Sequence, residues 1–248
     1  NVSSDKVASA ILASGALFND KAVNVLTGGL KRLEYRGYDS SGIAVNSENK
    51  ITMVKASGQL DNLIEKLGQS TINGCAGIGH TRWATHGAPT DINAHPHLSN
   101  SGRFAIVHNG IIENYIELKE ELMEKGFNFE SETDTEVVVH LLEYYFKGDV
   151  RKALMKTVSR LEGSYALGVV CSDFPESVFA AKLGSPLIIG VGVGENFFAS
   201  DVTALISKTK NIIYLEDGEF AEKEEFTENV QVLEPDTMEV DKEKINTT

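Results

Sequence analysis

The sequence predicts an α+β fold of stacked layers, and three observations predict it. Strand-like runs and two helical stretches fill the first hundred residues. Three helical segments then follow in a block between Glu113 and Gly163. From Tyr165 onward the chain reads as one short strand after another. Strands, a block of helices and strands again indicate segregated layers around one core, not alternating βαβ units.

The elements follow in chain order. The segment "KVASAILASGALFND" places Lys6 before an apolar run, like the start of a secretory signal. It lacks an A-x-A cleavage site and is too short to span a bilayer, so a buried strand or helix is the preferred reading. In "DKAVNVLTGGLKRLEY", Ala22, Leu26, Leu30 and Leu33 fall at helical spacing, interrupted by Gly28 and Gly29. "GIAV" and "ITMVKAS" read as strands. Leu60, Leu63, Ile64 and Leu67 form one face of a second helix. "CAGIGH" and "RFAIVHN" are strand-like runs that end in polar residues.

In the helical block, Tyr115, Leu118 and Leu122 share a face, with Gly126 placed to end that helix. "TDTE" reads as the next helix start, with Thr133 as cap and Glu136 completing a capping box. "DVRKALMKTVSRLEG" is the third helix, stopped by Gly163. The strand-rich part comprises "YALGVVCS", "SVFAAK", "PLIIGVG", "FFAS", "NIIYLED", "GEFAEK" and "NVQVLE". The segment from Glu234 to Thr248 is a polar tail or linker, so residues 1–248 read as a single domain.

The balance of 42% hydrophobic and 24% charged residues over 248 positions is that of a globular domain with a full core. A net charge of −13 argues against nucleic-acid binding. No stretch suggests a membrane. Cys75 and Cys171 have no metal-type spacing; they fit a reduced, cytoplasmic protein, with one disulfide as the alternative.

Three polar words, "HTRWATHG", "IVHNGIIENY" and "SETDTE", sit at strand ends or helix starts, where loops place chemistry on a rigid frame. Arg82 can grip a carboxylate with two prongs, and Asp134 can pair with an ammonium. Together they would hold a free amino acid by both charged ends. Asn109 offers a side-chain amide and Gly110 a bare backbone N–H, two donors suited to an oxyanion. Each has a plainer reading: "HNG" as a hairpin turn, Asp134 as a helix-start charge, Arg82 as a surface ion-pair residue. His80, His86, His95, His97 and His108 raise a metal site, but no HxxxH pair occurs, and neither metal nor cofactor is expected.

The words "RLEYRGYDSSGIAV", "GIGHTRWATHGAPTDINAHPH", "IVHNGIIENYIELKEEL", "SETDTEVVVHLL", "GSPLIIGVG" and "FFASD" resemble one family from about Asp20 to about Val232. It is the class II glutaminase domain of the glutamine–fructose-6-phosphate aminotransferases. The resemblance implies a four-layer αββα sandwich of the N-terminal-nucleophile hydrolase type. It also implies hydrolysis of glutamine by an N-terminal cysteine whose own α-amine is the base, with ammonia passed to a sugar-isomerase domain. Carried over by motif, Arg82 would clamp the glutamine α-carboxylate and Asp134 its ammonium. Asn109 and Gly110 would form the oxyanion hole. Trp83, Thr85 and His86 would belong to a loop that closes over glutamine, and Arg36 and Gly37 would lie beside the nucleophile. A homodimer is a further candidate assembly.

The family's chains begin Cys-Gly-Ile-Val-Gly. Here "NVSSDKVASAILASGALFN" stands in that region without a cysteine, and no isomerase region is present. Within it, "SAILA" keeps a strand-like pattern that begins at Ser9. Two expectations follow: a glutaminase domain, or a catalytically inactive glutamine-binding or regulatory domain that lacks its nucleophile.

Overall fold

The computed structural model describes residues 10–16, 22–69, 72–83, 87–193, 195–223 and 230–233. The segment that imitates a signal contributes strand β1, Ala10–Ala16. Then come helix α1 (Ala22–Leu33), a 3-10 turn at Glu34–Arg36, strands β2 (Ser40–Ser47) and β3 (Lys50–Ser57), and helix α2 (Leu60–Gly68). Strand β4 is Ala76–Arg82, β5 is His97–Leu98 and β6 is Phe104–Ile112. The helical block is α3 (Tyr115–Glu124), α4 (Glu136–Tyr145) and α5 (Val150–Val158). Seven strands follow: β7 (Gly163–Cys171), β8 (Phe174–Leu183), β9 (Ile188–Val191), β10 (Glu195–Ala199), β11 (Asn211–Tyr214), β12 (Phe220–Lys223) and β13 (Val230–Leu233).

Among the described residues these strands form two antiparallel sheets. One runs β11-β9-β10-β1-β4-β2-β3 and the other β13-β12-β8-β7-β6-β5. Three apolar clusters define the layers. Leu26 and Leu30 of α1 and Leu60 and Leu63 of α2 pack with Ile43, Val45 and Phe197 on the outside of the first sheet. Leu122, Val138, Leu142 and Leu154 from α3–α5 pack with Phe104, Ile106 and Leu167 on the outside of the second. Between the sheets lie Ala44, Ala76, Ile78, Ala105, Val107, Ala166 and Val170. The order helix, sheet, sheet, helix is the four-layer αββα sandwich that the motifs imply.

Period-two alternation sends successive side chains to opposite layers. In β4, Ala76 and Ile78 face the other sheet, whereas Gly77 and Gly79 face α1. A Cβ at either glycine would come within 3.0–3.1 Å of the Leu26 or Leu30 side chain, so the missing side chains let α1 lie close. In β6, Phe104 and Ile106 face the helices, and Ala105 and Val107 face the first sheet.

Three sequence readings need correction. "HNG" is not a hairpin turn, because β6 runs through Asn109 and Gly110 to Ile112, paired with β7 throughout. The expected Thr133–Glu136 capping box is absent. Helix α4 begins at Glu136, after Thr135, without a side-chain cap; the Glu136 carboxylate instead accepts from the Glu130 and Ser131 N–H groups. Asp134 therefore sits in the turn before the helix, not in its first turn. Helix α5 stops at Val158, and Gly163 opens β7 with φ +114°. The 234–248 tail lies outside the described residues. Cys75 and Cys171 are not joined in a disulfide.

Candidate active site

The inter-sheet face of β4 continues from Ile78 to His80 and Arg82, and that of β6 continues from Val107 to Asn109. At this end of the sandwich the alternation that builds the core delivers polar groups to the same layer. All three are almost fully buried. Asn109 Oδ1 lies 2.9 Å from His80 Nε2. An amide oxygen can only accept, so the imidazole donates and the Asn109 NH₂ is turned away from His80. Burial pushes His80 down to about 3, which keeps it neutral at pH 7.

Arg82 ends β4. Its guanidinium donates to the Gly87 carbonyl at 3.4 Å. Burial lowers its pKa, and the nearby Asp39 and Asp134 carboxylates oppose that shift. Asp134 approaches from the turn before α4. Its Oδ2 accepts from the Ile112 N–H at 2.8 Å, and its Oδ1 accepts from the Thr135 hydroxyl at 3.4 Å. The carboxylate is thus tied to β6, two residues beyond Gly110.

Gly110 has φ +136°, and a Cβ there would fall 2.0 Å from the Ser164 carbonyl oxygen. Only glycine fits this strand position. On the other side of the site, Arg36 Nη1 pairs with Asp201 Oδ2 at 3.2 Å, and the Tyr35 hydroxyl donates to the same oxygen at 3.0 Å. Asp201 follows β10, the strand next to β1. Gly37 follows the 3-10 turn in extended backbone, its N–H on the Glu34 carbonyl. Trp83 is half exposed and packs edge-on against Tyr38, ring centroids 5.1 Å apart. Thr85 and His86 lie outside the described residues.

The histidines form a wall beneath these groups. His80 and His95 stack at 4.3 Å, and His95 meets His97 edge-on at 4.8 Å. His95 and His97 are both held well below their ordinary pKa, chiefly by burial. Among the described residues no group of three or more His, Cys, Asp or Glu side chains has the arrangement of a metal site. The wall is tied together by Thr133, which contacts His97, and by Thr135, which contacts His95 and His108.

Neither cysteine belongs to this end of the molecule. Cys171 pairs with Phe104, at the far end of β6 from Gly110, and burial pushes its thiol up to about 12. Cys75 precedes Ala76, at the far end of β4 from Arg82. Strand β1 enters its sheet with Ala10 opposite Thr81, beside Arg82. Ser9 lies outside the described residues.

Sequence reasoning named His80 only as one of five histidines of a metal site, not as the partner of Asn109, and missed Thr135 and Asp201. The signal for His80 was present: in "GIGHTR" it shares a face with Ile78 and Arg82. Thr135 and Asp201 are recognisable only from the packing of distant segments.

Comparison with known proteins identifies the family and the fold. Residues 66–247 match the family described as glutamine amidotransferase domain. A glutamine–fructose-6-phosphate aminotransferase (isomerizing) of Caldanaerobacter subterraneus is 55% identical over 207 residues, 84% of this chain and 34% of that protein. One from Aquifex aeolicus is 49% identical over 220 residues, 89% of this chain and 37% of its own. The chain thus spans about a third of the length of these relatives. The glutamine phosphoribosylpyrophosphate amidotransferase of B. subtilis has the same fold, with a TM-score of 0.78 at 24% identity over 91% of this chain and 49% of that one. The chain belongs to the glutamine amidotransferase domain family. Among the described residues, no helix is long and apolar enough to cross a membrane.

Proposed function

We propose that this domain hydrolyses the side-chain amide of glutamine and supplies the ammonia to fructose-6-phosphate amination within a longer, cytoplasmic protein. One observation carries the reading: Arg82, Asp134, Asn109 and Gly110 converge at one end of the sandwich, each on a family-specific word. Arg82 takes the α-carboxylate and Asp134 the α-ammonium, so both charged ends of the amino acid are fixed and the amide points towards Asn109 and Gly110. When a nucleophile adds to the amide carbon, the carbonyl oxygen gains charge; the Asn109 NH₂ and the Gly110 N–H stabilise it. The tetrahedral species collapses with loss of ammonia to an acyl-enzyme, and water then releases glutamate.

The nucleophile belongs at the start of β1, beside Arg36 and Gly37. A residue there with a free α-amine carries its own base, because that amine titrates near ~8. Trp83, with Thr85 and His86, covers bound glutamine and excludes water. The relatives are about three times as long as the matched region, which leaves room for an isomerase domain to accept the ammonia. The second reading, an inactive glutamine-binding domain, rests on the missing cysteine; the family comparisons do not favour it.

Ammonia release from glutamine, measured on a chain whose first residue has been verified by N-terminal sequencing and intact mass, tests the proposal. Turnover that falls about 10²–10³-fold in Asn109→Ala supports it. No release above the blank from the verified chain, with glutamine binding retained, favours the binding reading.

A further inference from the structure

The histidine wall has no role in the chemistry above, yet it is built around one hydroxyl. Thr135 Oγ1 is buried and has three polar neighbours: His108 Nδ1 at 2.9 Å, His95 Nε2 at 3.4 Å and Asp134 Oδ1 at 3.4 Å. The direction of these bonds follows from the residues behind them. The His108 backbone N–H donates to His95 Nδ1 at 3.3 Å. An imidazole nitrogen that accepts carries no proton, so a neutral His95 is protonated on Nε2 and donates to Thr135. Burial holds His95 in the neutral form.

The hydroxyl then has one proton left to give. The Asp134 carboxylate is a stronger acceptor than a neutral imidazole nitrogen. In the polarity in which His108 Nδ1 also donates to its oxygen, leaving Nε2 unprotonated at a long 3.5 Å from the Ser164 carbonyl, the hydroxyl directs its proton to Asp134 Oδ1, while the Ile112 N–H holds Oδ2. Both carboxylate oxygens are fixed, and each keeps a lone pair for a ligand.

We propose that Thr135, oriented by His95 and His108, is a positioning residue that aims Asp134 at the ammonium of the bound amino acid, so that it sets selectivity for a free α-amine. This rests on the assignment of Asp134 made above. The opposite polarity, with Thr135 donating to His108 Nδ1 and His108 Nε2 donating to the Ser164 carbonyl at 3.5 Å, would leave Asp134 Oδ1 without this donor.

Calorimetric titration with two probes decides the matter. One is glutamine; the other is 4-carbamoylbutanoate, which is glutamine without its α-amine. Thr135→Val should weaken glutamine binding about tenfold and leave 4-carbamoylbutanoate within twofold, because only glutamine carries the ammonium. Thr135→Ser, which restores the hydroxyl, should bind both like the wild type. Should Thr135→Val fail to fold, Thr135→Cys keeps the size, loses most of the donor strength and bears the same comparison.

An equal loss for both probes would make Thr135 merely structural and overturn the proposal. So would no loss for either. Asp134→Asn separates the two assignments. It should abolish the preference for glutamine over 4-carbamoylbutanoate; an unchanged preference would refute the ammonium role of Asp134 itself.

Discussion

The two ends of the inter-sheet layer are made by the same strands and do opposite things. At one end Ala76, Ile78, Ala105 and Val107 meet in an apolar cluster, bordered by Asn46, whose Nδ2 donates across the layer to the Cys171 carbonyl. A few residues along, the same faces of β4 and β6 present His80, Arg82 and Asn109, equally buried. Nothing in the backbone changes between them; the strands stay paired and the alternation is unbroken. The contrast shows that the site is an extension of the core in which apolar residues are exchanged for polar ones. The exchange costs stability, because each buried polar group must be desolvated and partnered. In return the donors are held as rigidly as core side chains.

The largest effect that sharpens this contrast is acid sensitivity of the polar end. His80 titrates at about 3 in the folded chain, and His95 and His97 also lie well below the ordinary value of 6.5. Below pH 6.5 the unfolded chain binds these protons and the folded chain does not, so stability falls as pH falls. The slope is on the order of 1.4 kcal/mol per pH unit for each histidine. Glu136, held at about 2 in the folded chain, adds to the loss below its unfolded value of 4.5. Urea unfolding between pH 7 and pH 5 should show a steep loss; a flat profile would mean that the wall is solvated.

The apolar end should respond to volume. Ile78→Ala removes buried methyl groups between the sheets and should cost about 2–5 kcal/mol, with no steeper pH dependence and unchanged glutamine affinity in the folded protein. Denaturant unfolding and calorimetry check both halves. A large loss of affinity would show that the two ends are not separable.

The smallest effect concerns the rim. Trp83 is the only tryptophan and is half exposed. Glutamine bound at the proposed site should shift its emission, with little change in stability. A spectrum indifferent to saturating glutamine would count against Trp83 as part of that site.

Much of this architecture is legible in the sequence, and the reason differs by region. Helix α1 and strands β4 and β6 announce themselves because burial on one face imposes a period. Arg82, Asn109, Gly110 and Asp134 are recognisable because they sit in dense, specific words. The start of α4 misleads, because Glu136 spends its carboxylate on the Glu130 and Ser131 N–H groups, a choice set by how the preceding turn folds back. Strand β5, two residues long, has no period to detect. The partners of Arg36 and Thr135 lie far along the chain or on other strands, so Asp201 and the histidine wall emerge only once the layers are stacked.

We propose that the polar end of the layer holds glutamine by its two charged ends. Titration of glutamine into the wild type and Arg82→Ala tests it most directly. Loss of a desolvated charge partner is commonly worth about 2 kcal/mol or more, so affinity should fall roughly thirtyfold while the thermal midpoint changes little. Unchanged affinity in a folded Arg82→Ala protein would remove Arg82 from the site and contradict the account.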